Sequence, residues 1–298
     1  MFMHKPVLLK ESIEGLDIQP GDIFVDATLG DGGHTEYVCK LFGREVKVIG
    51  LDADSQAVKR AEENLKNFEC EKNIKVKNFS DIDQVLAELG IERANRILAD
   101  LGLSSYQLLE SGRGFSFQRD EPLLMTMKRE LEPEDVTAEM IVNVWSEETL
   151  ADIIYGYGEE RYARRIAKKI VTIRKVKPIK TTFDLVEIIR QAVPKSYQRR
   201  RLHYATRTFQ AIRIAVNDEL KRLETFLDKA FKILTPGGRI AVIAFHSLED
   251  RIAKRFFREK QKEGLARVLT KKPIVPSPEE IKNNPRARSA KLRVLQKL

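Results

Sequence analysis

The sequence contains few residues that bind metals or form covalent cross-links. Its 298 residues include only two cysteines, Cys39 and Cys70, and their spacing matches neither a metal motif nor a disulfide framework. The histidines are few and scattered: His4, His34, His203 and His246. We therefore expect neither a disulfide framework nor a metal site.

Long apolar runs are also missing. No stretch approaches the roughly 20 apolar residues that cross a bilayer, and the first residues lack the basic start and apolar stretch of a signal peptide. We expect a cytoplasmic protein without a membrane partner.

The charge is strongly positive, with 53 Lys and Arg against 44 Asp and Glu, a net charge of +9. Such an excess favours a polyanionic partner such as nucleic acid. However, 33% of the residues are charged and both signs are mixed, which also suits a heat-stable protein with surface ion-pair networks. Hydrophobic residues reach 42%, enough for a true core.

A glycine-rich turn is the most informative stretch. The segment Ile23-Phe-Val-Asp-Ala-Thr-Leu-Gly-Asp-Gly-Gly-His-Thr35 reads as a strand ending in Asp26, a turn with Gly30, Gly32 and Gly33, and a helix from His34. In a parallel sheet such a turn lies at the carboxyl end of the strand, where ligands bind.

The turn lacks both phosphate-binding motifs. Thr35 replaces the third glycine of the dinucleotide fingerprint, and no Gly-Lys-Ser/Thr follows for a P-loop. A second strand ends in Asp52, whose carboxylate would accept two ribose hydroxyls. This combination favours S-adenosylmethionine, bound by Asp26, the turn and Asp52. A turn that merely joins strand to helix is the alternative.

The periodicity predicts a doubly wound, Rossmann-like α/β sheet. Three β-α units occupy the first hundred residues, and a further strand ends in Asp100. Helical segments without strands then follow, too long a stretch for a loop. We predict a methyltransferase domain at 1–106 and 203–298, with an inserted helical substrate-recognition domain at 107–202. Residues 291–297 are predicted as a final edge strand.

Methyl transfer requires that the acceptor lie beside the cofactor, at the edge of the sheet formed by the carboxyl ends of the strands, which we call the rim. We predict that Asp100, Ser104 and Ser105, at the end of the fourth strand, hold the acceptor there. Polar groups that hold an exocyclic amine would orient its nitrogen and accept developing positive charge. Alternatively, these residues form a strand-ending carboxylate and a serine helix cap.

Nucleic-acid contacts are predicted in three places. Arg113 and Phe115 combine a phosphate ligand with a stacking ring. The densest basic run is Arg199, Arg200 and Arg201. His246 follows the fifth strand on the predicted active rim. The alternatives are an aromatic anchor for the insert, a solvated face and a structural histidine, respectively.

Eight segments closely resemble the bacterial small-subunit ribosomal RNA cytosine-N4 methyltransferases. In chain order they are His4-Lys-Pro-Val-Leu, Asp26-Ala-Thr-Leu-Gly-Asp-Gly-Gly-His-Thr, Asp100-Leu-Gly-Leu-Ser-Ser, Gly114-Phe-Ser-Phe, Tyr157-Gly-Glu-Glu-Arg-Tyr-Ala, Ala205-Thr-Arg-Thr-Phe-Gln-Ala-Ile-Arg, Phe245-His-Ser-Leu-Glu-Asp-Arg and Asn284-Pro-Arg-Ala-Arg-Ser. The resemblance spans essentially the whole chain.

The resemblance implies methyl transfer from S-adenosylmethionine to the N4 amine of a decoding-centre cytidine, in naked ribosomal RNA or in the assembled small subunit. The residues that match the family's cofactor ligands are Gly33, His34, Thr35, Asp52, Phe79, Asp100 and Gln107. A non-catalytic RNA-binding ribosome assembly factor with a vestigial nucleotide pocket is the rival hypothesis.

The sequence departs from related patterns at two places. Many amino-methyltransferases carry Asp/Asn-Pro-Pro-Tyr/Phe where this chain has Asp100-Leu-Gly-Leu, so the ring that stacks on the target base must come from elsewhere. The segment Asp120-Glu-Pro-Leu-Leu-Met-Thr-Met127 lacks an acid and an arginine of the family's Asp-Gly-Pro-Leu-Asp-Met-Arg-Met. No role at those two positions is transferred.

Overall fold

The computed structural model describes residues 5–298, apart from the side chain of Ser105. The chain forms two compact units. The first comprises the residues up to Ser104 together with Leu220–Leu298, and the second is Ser105–Glu219.

A single mixed sheet forms the centre of the first unit. Its strands are β1 (Ile23–Asp26), β2 (Lys47–Asp52), β3 (Glu71–Val76), β4 (Ala94–Asp100), β5 (Leu234–Ala244), β6 (Ala266–Val268) and β7 (Lys291–Lys297). They lie in the order β3-β2-β1-β4-β5-β7-β6. Neighbours among β1 to β5 are parallel, whereas β7 is antiparallel to both β5 and β6. The predicted doubly wound sheet is confirmed.

The helices are numbered in chain order through both units. They are α1 (Leu9–Leu16), α2 (Gly33–Phe42), α3 (Ser55–Leu65), α4 (Ile82–Glu88), α5 (Ser105–Leu109), α6 (Ala138–Val144), α7 (Glu147–Gly156), α8 (Ala163–Arg174), α9 (Thr182–Ala192), α10 (Lys195–Gln198), α11 (Thr206–Asn217), α12 (Glu219–Ile233), α13 (Ser247–Lys262) and α14 (Pro278–Asn283). Short 3-10 helices cover Gly43–Glu45, Phe79–Asp81 and Pro285–Ser289. Among the described residues, no helix is both long enough and apolar enough to cross a membrane.

Both faces of the sheet are buried, because alternate residues of each strand point to opposite sides. On β1, Val25 joins a core that includes Phe226 of α12 and Phe257 of α13. The preceding Phe24 joins a second core that includes Leu16 of α1 and Val38 of α2. Helices therefore cover each face of the sheet.

The C-terminal part of the sheet differs from the prediction. β7 has the predicted bounds but is not the edge strand, because β6 pairs with it on its outer side. The three-residue β6 is too short to show a period of two in the sequence. The alternation over residues 74–79 predicts a strand, but β3 begins and ends three residues earlier than that stretch. It ends before Phe79 because the Asn78 side chain accepts a hydrogen bond from the Ser80 amide and caps a 3-10 helix.

Two helices that the periodicity predicts, over residues 134–148 and 207–234, differ in the structure. The first stretch contains α6, and Ser146 then caps a separate helix, α7, that runs on to Gly156. In the second stretch, Asp218 adopts a left-handed conformation with φ 49° and separates α11 from α12. Both breaks are local backbone events inside a continuing helical pattern, which periodicity alone does not reveal.

The second unit is helical, and its bounds differ from the predicted insert of 107–202. Within it, α7 packs against α8 and α11, and α8 packs against α9. Gln210 of α11 donates to the Tyr157 carbonyl at 3.0 Å. A Cβ atom on Gly158 would lie 2.6 Å from the Arg207 carbonyl oxygen, so α11 approaches this corner closely. α11 therefore belongs to the helical unit, which extends to Glu219.

Cys39 and Cys70 form a disulfide, contrary to the expectation from the sequence. Their Cα atoms lie 5.4 Å apart, and both residues are buried. Cys39 lies on α2 and Cys70 immediately precedes β3. Thirty-one positions separate them in the chain, and only the packing of α2 on the sheet brings them together.

Candidate active site

Three carboxylates end three neighbouring strands of the first unit. Asp26, Asp52 and Asp100 are the last residues of β1, β2 and β4, respectively. The strand order reverses between β1 and β4, and in open α/β sheets the crevice at such a switch point binds ligands. The sheet thus brings the three predicted acids to one rim.

The Asp52 carboxylate is held by the backbone. One oxygen accepts the Gly30 amide at 2.9 Å and the other accepts the Asp54 amide at 2.8 Å. Since each carboxylate oxygen can accept more than one hydrogen bond, both keep acceptor capacity for a ligand. Burial is the main cause that raises the Asp52 pKa to about 6.

The glycine turn places its backbone between β1 and α2. Gly30 and Gly32 have φ of 55° and 85°, conformations that favour glycine, and Gly32 precedes the first turn of α2. No atom lies within 4 Å of the position that a Cβ on Gly30 would take. The turn therefore leaves open space beside Gly30, next to Asp52.

The N-terminal segment packs onto this turn. A Cβ atom on Gly33 would lie 2.4 Å from the Pro6 ring, so only glycine fits there. The buried His34 ring has Nε2 at 3.2 Å from the Val7 carbonyl oxygen. These two predicted ligands thus also hold the segment in place. His4, which begins the first family motif, lies outside the described residues.

Asp26 lies beneath the turn. Its carboxylate accepts the Thr35 hydroxyl at 2.9 Å, and the residue is buried. The Asp26 pKa is raised to about 6, mainly by burial and in smaller part by the nearby Asp52 charge, while the Thr35 hydrogen bond opposes both effects. Asp26 therefore supports the turn from below rather than facing solvent.

Asp100 has the most perturbed of the three carboxyl groups. Its pKa is raised to about 7, mainly by burial, with a smaller contribution from the charges of Asp26 and Glu249, while a hydrogen bond from the Gly102 amide opposes the rise. Its backbone amide donates to the Thr28 hydroxyl at 2.6 Å, which ties the end of β4 to the chain after β1. The next turn is tight, since a Cβ on Gly102 would lie 2.7 Å from the Phe245 ring.

Phe79 lies near the same sheet but outside a strand. It begins the 3-10 helix after β3 and contacts Phe226 edge to face, with ring centroids 5.3 Å apart. Its side chain is half-buried, so one part packs in the core while another is accessible to a ligand.

His246 caps α13. Its Nδ1 accepts the Glu249 amide at 3.4 Å, and Glu249 Oε2 accepts the Phe245 and His246 amides at 2.8 and 3.3 Å. His246 Nε2 also lies 3.1 Å from Glu249 Oε1. This reciprocal capping box gives the histidine a structural function that the sequence reading offered only as the alternative.

The remaining predicted catalytic and cofactor-binding residues, Ser104, Ser105 and Gln107, lie in the chain where the first unit ends and the second begins. Ser104 is buried and ends the chain segment of the first unit. Ser105 and Gln107 lie on α5 of the second unit, where Gln107 is buried. The first unit therefore brings together the glycine turn and its three strand-ending acids.

Arg113 and Phe115 lie inside the second unit. Both are buried, and the Arg113 guanidinium donates to the carbonyls of Thr126 and Met127 at 2.9 Å each. The same group lies 5.4 Å from the Phe115 ring centroid. This position differs from the exposed one that a phosphate contact requires, and it matches the alternative of an anchor for the insert.

Arg199, Arg200 and Arg201, in contrast, are all exposed. Arg199 is the C-cap residue that follows α10, and Arg200 and Arg201 come directly after it. This is the placement that a contact with a polyanion requires.

Sequence reasoning missed several residues that shape the rim. Thr28 holds Asp100, Pro6 packs on Gly33, and the fully buried Asp54 caps α3 by accepting the Gln56 amide. Thr28 could have been found as the hydroxyl inside the Asp26-Ala-Thr segment. Nothing local marks Pro6 as a neighbour of the turn.

The chain matches the MraW methylase family over residues 1–298. A relative from Kosmotoga olearia named ribosomal RNA small subunit methyltransferase H is 50% identical over 299 residues, covering 99% of this chain and 97% of the relative. The protein of the same name from Thermosipho melanesiensis is 50% identical over 296 residues, covering 99% and 98%. A solved rRNA methylase from Streptococcus thermophilus aligns with 99% of each chain at 11% identity and a TM-score of 0.46.

Proposed function

The chain belongs to the MraW methylase family, and we propose that it transfers a methyl group from S-adenosylmethionine to the N4 amine of a decoding-centre cytidine in small-subunit ribosomal RNA. The observation that carries this proposal is the convergence of the glycine turn with Asp26, Asp52 and Asp100 on one rim. Both named relatives are methyltransferases, so the non-catalytic assembly factor is not supported.

The rim fits an adenosine bearing an amino-acid tail. Asp52 keeps acceptor capacity on both oxygens, which suits the two hydroxyls of a ribose. Gly30 leaves open space next to it, and the turn is not followed by the Gly-Lys-Ser/Thr motif with which a P-loop binds phosphates. We assign the ribose to Asp52, the tail to the turn from Gly30 to Gly33, and the adenine to the neighbourhood of Phe79.

The cofactor supplies a methyl group on a positively charged sulfonium sulfur. Asp26, Asp52 and Asp100 form an acidic rim whose pKa values are raised mainly by burial. A cationic ligand beside these groups favours their ionised forms. The acids therefore suit a positively charged donor better than a neutral one.

Asp100 is the residue we assign to the acceptor amine. A cytosine amine is neutral at working pH, so its proton leaves after the methyl group arrives, when the nitrogen carries positive charge. A carboxyl group with a pKa of about 7 is matched to accepting a proton near neutrality. The Thr28 hydroxyl orients the backbone of Asp100. Ser104 follows in the same unit as a residue that would hold an N–H bond of the amine.

The substrate is ribosomal RNA, and the second unit provides its recognition surface. Arg199, Arg200 and Arg201 are exposed there, and the whole chain carries a net charge of +9. Cationic side chains that contact phosphates supply sequence-independent affinity and position the substrate. We propose that the protein acts in the cytoplasm, where a ribosomal substrate is found.

One experiment tests the reaction and its substrate together. The protein is incubated with S-adenosylmethionine labelled in the methyl group and with either naked small-subunit RNA or the assembled subunit. We expect label in N4-methylcytidine after nuclease digestion. Label in another nucleoside would overturn the assigned acceptor, and no label with either substrate would overturn the proposed activity. A preference for one substrate identifies the physiological partner.

A further inference from the structure

Two tyrosines of the second unit form a pair next to its basic run. Tyr162 precedes α8 and Tyr197 lies on α10. Their ring centroids are 5.0 Å apart and the ring planes meet at 75°. The pair brings the start of α8 next to α10, although the two residues lie far apart in the chain.

Three arginines lie over these rings. Arg161 is 4.7 Å from the Tyr162 centroid and 5.2 Å from that of Tyr197. Arg165 lies 5.7 Å from the Tyr162 centroid, and Arg200 lies 5.2 Å from that of Tyr197. All four distances fall within the range of cation–π attraction. We call these three residues, Arg161, Arg165 and Arg200, the stacked arginines.

A buried glutamate fixes the tyrosine pair. The Tyr197 hydroxyl donates to Glu160 Oε2 at 2.5 Å, and the Tyr162 amide donates to Glu160 Oε1 at 2.8 Å. Glu160 has no exposed surface. Burial and the Glu160 hydrogen bond raise the Tyr197 pKa to about 12, so its hydroxyl stays protonated and keeps donating. The rings therefore form a rigid support.

The stacked arginines are themselves exposed. In the described part of the chain, none of the three guanidinium groups forms an ion pair with an acidic side chain. Each guanidinium group therefore lies over a ring and belongs to a side chain that is accessible to a ligand. An arginine held in this way loses less rotamer freedom on binding than a lysine or a free arginine does.

We propose that the stacked arginines form a preorganised binding site for the phosphates of the RNA backbone, in which Tyr162 and Tyr197 fix the guanidinium planes. Planar guanidinium groups match phosphate oxygens with two parallel hydrogen bonds. This inference rests on the proposed function, because the RNA phosphates would come from the ribosomal substrate. It adds that affinity depends on the tyrosine support as well as on the number of positive charges.

The sharpest test keeps the charge constant. In one variant Tyr162→Leu removes a supporting ring, and in another Arg161→Lys, Arg165→Lys and Arg200→Lys replace the planar groups together. We expect each to weaken binding of a small-subunit RNA transcript about 5- to 30-fold at physiological salt, while the slope of log K against log salt stays near the wild-type value. A model based on charge alone predicts no loss.

Matched controls separate binding from folding. Tyr162→Phe keeps the ring and should bind RNA as the wild type does. Arg93→Lys, Arg258→Lys and Arg267→Lys make the same chemical change at three exposed arginines of the first unit and should not weaken binding. Thermal unfolding of every variant shows which proteins are folded at the assay temperature.

Wild-type affinity in both Tyr162→Leu and the triple lysine variant, with both proteins folded, would overturn the site. A lower melting temperature without a change in RNA affinity would give the cluster a structural function only and would also overturn it. Failure of the proposed methyl transfer is seen separately, as an absence of labelled cytidine with the wild-type protein.

Discussion

The backbone amide of Asp100 donates a 2.6 Å hydrogen bond to the side-chain hydroxyl of Thr28. The contact joins the carboxyl ends of β4 and β1, the two strands between which the sheet order reverses. It thus sets the position of Asp100 relative to the glycine turn.

Thr28→Val should lower methyl transfer by removing this acceptor while keeping the side-chain shape. Loss of one hydrogen bond of about 1 kcal/mol corresponds to a roughly fivefold lower rate of methyl transfer. Misplacement of the Asp100 carboxylate adds to this loss. The measurement is the single-turnover rate at saturating S-adenosylmethionine. Thr28→Ser restores the hydroxyl and should recover most of the rate. Equal rates for Val and wild type would show that Thr28 does not position Asp100.

Asp52→Ala should weaken cofactor binding by about 2 to 4 kcal/mol, the scale of a lost pair of charge-assisted hydrogen bonds. Calorimetry with S-adenosylmethionine measures this directly. Glu62→Ala removes an exposed acid from α3 and serves as the control. Unchanged affinity in Asp52→Ala would mean that other residues hold the ribose.

Asp100→Asn should lower turnover about 10²- to 10⁴-fold, the usual effect of losing an acid-base or charge-stabilising group. The measurement is the single-turnover rate at saturating cofactor, because a loss of cofactor affinity then has no effect on the rate. Because the Asp100 pKa is about 7 in the protein without cofactor, the wild-type kcat/KM should also rise as the pH increases through 7. Transfer at the wild-type rate in the variant would leave Asp100 as a cofactor ligand only.

The same substitution should stabilise the fold at neutral pH. The pKa of Asp100 is raised in the folded protein from 3.8 to about 7. Its contribution to stability is therefore fully present below pH 3.8 and is lost as the pH rises to 7. Asp100→Asn removes this loss, so the stability of the variant relative to wild type should grow from pH 4 to pH 7 and then level off at about 4 kcal/mol. Chemical denaturation across this range measures it, and a constant difference would contradict the burial argument.

The Cys39–Cys70 disulfide should stabilise the first unit. Closing a loop of this length is worth about 3 to 4 kcal/mol in the chain-entropy account. Cys39→Ser with Cys70→Ser should therefore lower the melting temperature by about 5 to 15 °C. Reductant should lower the wild-type melting temperature in the same direction and leave the double variant unchanged. If reductant has no effect on wild type, the thiols are not paired in solution.

Neutralising the basic run should reduce the salt dependence of RNA binding. Arg199→Gln, Arg200→Gln and Arg201→Gln together should flatten the slope of log K against log salt by about two to three units if each contacts a phosphate. The matched control replaces three exposed lysines, Lys10, Lys59 and Lys282, by glutamine in the first unit. A slope that stays at the wild-type value would make the run an ordinary solvated surface.

The sequence by itself determined the sheet class and the acids on its rim. Asp26, Asp52 and Asp100 each follow a β-branched, apolar strand, and parallel strands place their carboxyl ends on one side. The glycine turn was equally visible, since positive φ angles at Gly30 and Gly32 restrict the residue type locally. These features follow from short-range sequence patterns, so they can be predicted without knowledge of the packing.

Only the tertiary structure decided which side chains meet. Thr28 reaches Asp100 across 72 positions of the chain, and Cys39 reaches Cys70 across 31. The same holds for Arg113, whose charge suggested an RNA contact but whose guanidinium is enclosed by backbone carbonyls. Contacts between distant residues depend on how helices pack on the sheet and on each other, and periodicity records only the face that a residue occupies.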